Sequence, residues 1–185
     1  MLQNPLRLQR ASAGLLVIDF QERLLPAIFE KERVMANAVR LIHGARVLGL
    51  PVFATEQYRK GLGATVPEIA QALPGVTPLE KTVFSACGAA GLIEALRARG
   101  VPNILLTGIE AHVCVCQTAL DLLDAGRRVW VVADATSSRT PENHRIGLER
   151  MRDAGARVVS TEMVLFELIE RAGTAEFKQI LQWIK

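Results

Sequence analysis

A cysteine near the start of a predicted helix is the residue best placed to do chemistry in this sequence. Residues 103–107 form a short apolar run, Gly108 interrupts it, and an amphipathic pattern containing Cys114 follows. A thiol in a first helical turn lies among unpaired backbone N–H groups at the positive end of the helix dipole, and both stabilise a thiolate. We therefore interpret Cys114 as a candidate nucleophile with a lowered pKa. The alternative is a structural cysteine that packs as a small apolar residue.

Two charged residues stand at the ends of other apolar segments. Asp19 follows residues 14–18, and Lys81 ends the segment 77–81. In open parallel sheets, ligands bind beyond the carboxyl ends of the strands, where the strand order reverses. At that point a carboxylate could accept the proton of Cys114, and an ammonium would favour both anions. Taken alone, Asp19 is equally well explained as a turn cap and Lys81 as a surface lysine.

Strand-like and helix-like patterns alternate along the chain. The strands are near-continuous apolar runs, typical of a parallel sheet buried on both faces. Strands are predicted at residues 14–19, 51–55, 77–81, 103–107, 128–133 and 157–160. Helices are predicted at residues 30–48, 67–72, 88–99, 112–124, 141–154, 161–170 and 174–184. With right-handed crossovers, this pattern predicts one α/β domain over residues 1–185: a three-layer αβα sandwich with a six-stranded parallel sheet, Rossmann-like and doubly wound.

Composition narrows the class of protein. A chain of 185 residues, half of them hydrophobic, suits one well-buried domain. Its longest apolar runs, such as residues 129–133, are too short to span a membrane. The segment 1–7 lacks the apolar core of a signal peptide, and the three cysteines show no disulfide spacing pattern. We expect a cytoplasmic protein without membrane contact.

Charge and histidine content argue against two further classes of partner. The net charge is +3, but basic residues are interleaved with acidic ones, as in residues 142–152. We therefore expect no nucleic-acid binding. The three histidines are scattered, and no second pair of ligands accompanies Cys114 and Cys116. A zinc site is therefore not expected.

Four motifs together resemble the isochorismatase-like cysteine hydrolase superfamily. They are residues 19–21 (DFQ), 80–85 (EKTVFS), 107–115 (TGIEAHVCV) and 134–139 (DATSSR), and the similarity extends over about residues 15–169. Residues 55–58, Thr-Glu-Gln-Tyr, look closest to the isochorismatase-domain-containing group. The resemblance implies that Asp19, Lys81 and Cys114 form a catalytic triad.

The resemblance also implies an oxyanion hole and an assembly. A non-proline cis peptide between Ile109 and Glu110 is expected to turn the backbone amides of Glu110 and Cys114 towards the substrate. A homo-oligomer, dimer or larger, is expected. Further residues are candidates for the substrate pocket: Gln21, Gln57, Tyr58, Phe84 and Ser85.

The function predicted from these residues is hydrolysis of a small amide-like C–N bond through a thioester acyl-enzyme. Nicotinamidases of the superfamily carry an aspartate and histidines as a metal site after the second strand, whereas residues 56–61 contain no histidine. We therefore predict no catalytic metal and no cofactor. True isochorismatases typically lack the nucleophilic cysteine, so Cys114 favours acyl or C–N chemistry.

Three other readings of the sequence stay open. A vinyl ether hydrolase of the isochorismatase type would use the same fold. A catalytically idle, Rossmann-like interaction module would keep the fold and assemble through its helices. A dinucleotide-binding protein is disfavoured, because residues 19–25 contain no glycine-rich fingerprint.

Several neighbouring residues are given structural roles. Cys116 lies about 200° around the helix from Cys114 and should point into the core. We expect Cys87 to pack, His112 to be solvated at the helix start, and Arg139 to bind a neighbouring segment or a partner chain.

Overall fold

The sheet of this protein has six strands, each parallel to its neighbours. A computed structural model describes residues 6–184, so most of the N-terminal segment considered above for a signal peptide lies outside it. The strand order is β3-β2-β1-β4-β5-β6. The strands are β1 (Ala13–Ile18), β2 (Val52–Gln57), β3 (Leu79–Lys81), β4 (Asn103–Ile109), β5 (Arg128–Ser137) and β6 (Arg157–Val159).

Helices connect the strands and cover both faces of the sheet. They are α1 (Lys31–Val47), α2 (Arg59–Leu62), α3 (Pro67–Ala72), α4 (Leu92–Ala98), α5 (Cys116–Asp124), α6 (Pro141–Asp153), α7 (Thr161–Ile169) and α8 (Ala175–Ile184). Short 3-10 turns lie at Arg10–Ser12, Leu25–Ala27 and Ala86–Gly88, and a π-helical turn, Ala111–Val115, precedes α5. None of the helices within residues 6–184 is both long enough and apolar enough to span a bilayer.

Side chains that alternate between the two faces of the sheet divide the core into two layers. In β1, Leu15 and Val17 pack with α1, α3, α7 and α8, whereas Leu16 and Ile18 pack with α4, α5 and α6. Because successive side chains of a strand point to opposite faces, one apolar run supplies both layers. The predicted three-layer αβα sandwich with six parallel strands is confirmed.

Three strands run further than their predicted segments. β4 continues by two residues to Ile109, and the other two extensions are polar. β2 continues to Gln57, and its last two residues pair with Glu80 and Lys81 of β3. β5 continues to Ser137, with a register shift against β4. These extensions are polar because their side chains bind neighbouring groups, as when the Ser137 hydroxyl donates to the Phe29 carbonyl at 2.7 Å. Apolar periodicity does not detect such residues.

The strand order reverses beside β1. The chain passes from β1 to β2 and β3 on one side and then returns to place β4 on the other. The crevice at the carboxyl ends of β1 and β4 is therefore the site expected for a ligand. Asp19 immediately follows β1 there, and the turn containing Cys114 follows β4.

Gly108 lets β1 and β4 approach closely at this crevice. A Cβ atom at this position would lie 2.7 Å from the backbone oxygen of Ile18 and 3.1 Å from a methyl carbon of Val115. Since backbone atoms cannot rotate away, a side chain would push the strand ends apart.

We predict that Gly108→Ala lowers the free energy of unfolding by about 1–3 kcal/mol, because the added methyl overpacks a rigid contact. Denaturant unfolding measures this change. Gly44→Ala is the control: its Cβ would meet the end of the flexible Leu165 side chain, and alanine gains about 1 kcal/mol of helix propensity. Equal stability of Gly108→Ala and the parent protein would contradict the close-approach argument.

Candidate active site

A buried ion pair forms the centre of the site. The Nζ atom of Lys81 lies 2.6 Å from Oδ2 of Asp19, and both side chains are 0% exposed. Asp19 follows β1 with a left-handed backbone (φ 57°), and Lys81 is the last residue of β3. Because β2 lies between these strands, the lysine side chain crosses the end of β2 to reach the carboxylate.

Residues of β2 and the loop after β3 hold both charges in place. Thr55 donates its hydroxyl hydrogen to Asp19 Oδ1 at 2.8 Å. The ammonium of Lys81 also donates to Gln57 Oε1 at 2.6 Å and to the Phe84 carbonyl at 3.0 Å. An ammonium has three hydrogens to donate, and these contacts use all of them. The cation therefore fixes Asp19 rather than bonding to the sulfur.

Cys114 lies in the π-helical turn after β4, close enough to Asp19 and Lys81 for both charges to act on the pKa of its thiol. Thr118 holds this turn: its hydroxyl donates to the Cys114 carbonyl at 2.6 Å and accepts from the Ala86 amide at 2.8 Å. The turn with the thiol is thereby tied to the loop that follows Lys81. The structure thus brings together Asp19, Lys81 and Cys114.

The thiol is neutral at rest. Burial and the negative charge of Asp19 raise the pKa of Cys114 to about 12, against a smaller opposing effect of the Lys81 charge. The expectation of a lowered pKa is therefore wrong. Its physical reason is that 3% exposure leaves a thiolate almost without water, and the Asp19 carboxylate opposes a second negative charge beside it.

The chain turns into the site without a cis bond. The peptide between Ile109 and Glu110 is trans, so the expected cis peptide is wrong. The change of direction comes instead from Glu110, which adopts a left-handed conformation with φ 60°. The assignment of the Glu110 and Cys114 amides as an oxyanion hole stays a prediction.

A cavity of about 250 Å³ opens onto the thiol. Its walls combine four apolar side chains with a few polar ones: Leu24, Leu62, Phe84, Val113, Gln57, Glu110, Cys114 and Arg139. A larger open groove of about 890 Å³ lies between α1 and α8, but it contains none of the three converging residues. We assign the smaller cavity to the site because it reaches the sulfur, whereas the larger groove does not.

Gln57 and Phe84 are the two predicted pocket residues that line this cavity. Gln21 does not, because its amide binds the backbone of Gln57 and Gly63 and so fixes the connecting loop. Tyr58 is 50% exposed to solvent. Ser85 caps a 3-10 turn by accepting from the Cys87 amide at 3.2 Å.

The sequence reasoning missed several wall residues. Leu24 precedes a 3-10 turn and Leu62 ends the four-residue helix α2, so neither belongs to a periodic pattern. Arg139 was expected to bind a neighbouring segment, and it does form an ion pair with Glu110, yet it also lines the cavity. Its place after β5, at the same edge of the sheet as Cys114, was the available signal.

The remaining candidates have structural surroundings. Cys116 is buried at 3% exposure, as expected for a core residue, and Cys87 is half-buried. His112 lies in the π-helical turn with its side chain 18% exposed, and its Nδ1 atom lies 2.9 Å from the Ser138 hydroxyl. Within residues 6–184, no group of three or more His, Cys, Asp or Glu side chains is arranged to hold a metal ion.

Comparison with known proteins gives consistent matches over nearly the whole chain. The model of the isochorismatase domain family matches residues 13–163. Isochorismatase domain-containing protein 2 from Danio rerio is 41% identical over 94% of this chain and 87% of its own length.

Two solved structures share the fold. MAR1 ribonuclease from Caenorhabditis elegans is 37% identical with a TM-score of 0.91, covering 96% of this chain and 92% of its own. YcaC from Pseudomonas aeruginosa, with hexane-2,5-diol and covalent acrylamide, is 27% identical with a TM-score of 0.90, covering 97% and 92%.

We predict that Asp19→Asn makes Cys114 more reactive towards iodoacetamide. The substitution removes the anion that raises the pKa of the thiol, while the Lys81 charge remains to lower it. Carbamidomethylation at pH 8 should become at least about tenfold faster, since each unit of pKa changes the thiolate fraction tenfold. Peptide mass spectrometry measures the modification of each cysteine separately.

Cys114→Ala serves as the control in this experiment, because it reports labelling of Cys87 and Cys116 alone. Slower labelling of Cys114 in Asp19→Asn than in the parent protein would show that Asp19 activates the resting thiol, contrary to the electrostatics described here.

Proposed function

The chain belongs to the isochorismatase family, and we propose that it is a cysteine-dependent hydrolase that cleaves the C–N bond of a small amide. The observation that carries this proposal is the convergence of a thiol, a carboxylate and an ammonium at the base of one cavity. In the proposed mechanism the carboxylate accepts the thiol hydrogen, as general-base activation of a nucleophile requires.

In the proposed first half-reaction, proton transfer accompanies attack. Asp19 accepts the proton of Cys114 while the sulfur bonds to the substrate carbonyl carbon and the carbonyl electron pair moves to oxygen. Backbone amides of Glu110 and Cys114 stabilise this oxyanion. The oxyanion then collapses, the C–N bond breaks, protonated Asp19 gives its proton to the leaving amine, and a thioester remains.

Water completes the cycle. Asp19 takes a proton from water as the oxygen attacks the thioester carbonyl, and the C–S bond then breaks to release the carboxylic acid. The sulfur recovers its proton from Asp19. Lys81 transfers no proton in this scheme; its role is to hold Asp19 as an anion in a fixed position at the start of each half-reaction.

Covalent chemistry in a relative supports the choice of a nucleophile. Acrylamide is bound covalently in the YcaC protein from Pseudomonas aeruginosa. Acrylamide is an electrophile, so a nucleophilic group is available in that fold. In the present chain, Cys114 is the cysteine that lines the cavity, whereas Cys87 and Cys116 do not.

A ribonuclease function, suggested by the name of the Caenorhabditis elegans relative, is less well supported. A phosphodiester substrate would need cations facing its phosphate. Arg139 is the one cationic residue among those that line the cavity, and it is already paired with Glu110 at 3.1 Å. The apolar walls suit a small organic acyl group better.

We further propose a cytoplasmic homo-oligomer. All three cysteines are free, as they would be in a reducing compartment. Met163 and Phe166 of α7 and Trp183 of α8 are large apolar residues that are 39% or more exposed, which suits a contact between subunits.

Loss of the thiol should abolish turnover. We predict that Cys114→Ala lowers hydrolysis of any substrate found in a panel of small amides, ureides and hydroxamates by about a thousandfold or more, because no other group can form the acyl-enzyme. Release of amine or ammonia measures the rate. Cys116→Ala removes a neighbouring buried thiol outside the cavity, and it should retain activity.

Unfolding midpoints of both variants should lie close to that of the parent, which separates chemistry from stability. Undiminished hydrolysis by Cys114→Ala would eliminate the mechanism. Absence of turnover over the whole panel, with normal folding, would favour the idle interaction module.

A further inference from the structure

We propose that Glu110 determines the specificity of this site by accepting hydrogen bonds from N–H groups of the substrate. The substrate class would then be small amides or ureides that carry N–H, in preference to carboxylates and esters. The inference rests on the proposed function, since it names the class of molecule on which the same site acts.

Glu110 lines the cavity that contains the sulfur of Cys114. It lies at the end of β4, is 8% exposed, and is a lining residue together with Cys114. Its left-handed backbone leads directly into the turn that holds the thiol. A substrate carbonyl that reaches Cys114 therefore has its substituents close to this carboxylate.

The two oxygens of Glu110 have different surroundings. Oε1 lies 3.1 Å from Nε of Arg139. Oε2 lies 3.8 Å from His112 Nε2, which is beyond hydrogen-bond distance. Within residues 6–184, two fully buried side-chain atoms have no hydrogen-bond partner: Asn103 Oδ1 and Trp130 Nε1. Glu110 Oε2 is not one of them. It is therefore an acceptor that remains reachable.

An ionised carboxylate can only accept hydrogen bonds. A ligand that supplies N–H to Oε2 completes its hydrogen bonding, and a bond to a charged acceptor is stronger than one between neutral groups. A substrate carboxylate or ester at the same place would bring a second hydrogen-bond acceptor against Oε2, with no hydrogen between them. A carboxylate would add the repulsion of two like charges in a largely apolar cavity.

The charge of Glu110 also extends to the reaction centre. It is one of the anions that raise the pKa of Cys114. An anionic substrate would add a further negative charge beside a carbonyl oxygen that must itself become negative during attack. Neutral N–H donors avoid this penalty.

Arg139 moderates rather than reverses this preference. Its side chain is 59% exposed, so water screens its charge, whereas the Glu110 side chain is 11% exposed. Because water screens the charge of Glu110 less than that of Arg139, the Glu110 carboxylate has the stronger electrostatic effect inside the cavity. If Arg139 instead captured substrate carboxylates, the preference would run the other way, and the experiment below separates the two cases.

The cavity walls set the size of the acyl group. A volume of about 250 Å³ is below the usual range of roughly 300–1,000 Å³ for ligand pockets. Apolar walls contributed by Leu24, Leu62, Phe84 and Val113 suit one compact hydrocarbon group, such as a single ring.

The test uses three probes of equal size and shape: benzamidine, benzamide and benzoate. Benzamidine presents only hydrogen-bond donors, benzamide presents donors and acceptors, and benzoate presents only acceptors. Binding is measured by calorimetry to the Cys114→Ala chain, which cannot turn benzamide over. We expect benzamide and benzamidine to bind at least about tenfold more tightly than benzoate, the size of effect that one hydrogen bond to a charged group produces.

Glu110→Gln, in the same background, keeps the backbone amide and the shape of the side chain but removes its charge. This substitution should weaken the binding of benzamidine by about tenfold or more and strengthen the binding of benzoate. Arg139→Gln is the matched control at the other end of the ion pair. It should leave benzamidine binding at least as tight as before, because Glu110 then has no counter-charge.

Benzoate binding as tight as benzamidine binding, an unchanged order in Glu110→Gln, or no binding of any probe would overturn the proposal. If Glu110→Gln fails to fold, the order of the three probes on Cys114→Ala still decides. These binding measurements involve no turnover. If the three probes bind in the expected order of affinity but the wild-type chain is inactive, only the proposed hydrolase function is contradicted.

Discussion

The buried ion pair between Lys81 and Asp19 is the interaction on which the candidate site depends. Two charges with fully buried side chains remain acceptable only if each is paired and hydrogen-bonded, and removing one partner from such a pair typically costs about 3–5 kcal/mol. The structure meets this condition with hydrogen bonds from Thr55 to the carboxylate and from the ammonium to Gln57 and the Phe84 carbonyl. Strands β1, β2 and β3 must therefore end in register. The pairing of Ile18 with Thr55 and of Gln57 with Lys81 provides that alignment.

The same pair explains the state of the nucleophile. In cysteine enzymes with an imidazolium partner, the cation stabilises a resting thiolate. Here the cation is used by Asp19, and the anion that remains nearest the sulfur favours the protonated thiol. In the proposed mechanism, nucleophilic sulfur is therefore generated only as a proton moves to Asp19 during attack. Position at the start of a helix does not override burial and a neighbouring carboxylate, which is why an argument from the helix dipole alone gave the wrong direction for the pKa.

Sequence patterns predicted those parts of the molecule that depend on apolar burial. Apolar runs such as residues 14–18 are long and uninterrupted, so the six strands and the three layers could be recognised. The convergence of Asp19, Lys81 and Cys114 followed from strand ends meeting at one edge of a parallel sheet. The cavity walls could not be predicted in this way. Leu24 and Leu62 come from irregular or very short segments, where side-chain direction depends on loop contacts such as those of Gln21. The cis peptide was inferred from resemblance, and a left-handed Glu110 makes the turn instead.

The protonated state of Cys114 affects how readily its sulfur is oxidised. Peroxide attacks thiolates, and oxidation to sulfenic and then irreversible sulfinic acid follows thiolate character and exposure. The pKa of Cys114 is raised to about 12, and burial also raises the pKa values of Cys87 and Cys116. A raised pKa lowers the thiolate fraction of each sulfur at neutral pH, and thiolate is the form that peroxide attacks. In the proposed mechanism the sulfur loses its proton only as it attacks a bound carbonyl, so the site would keep little thiolate available to peroxide.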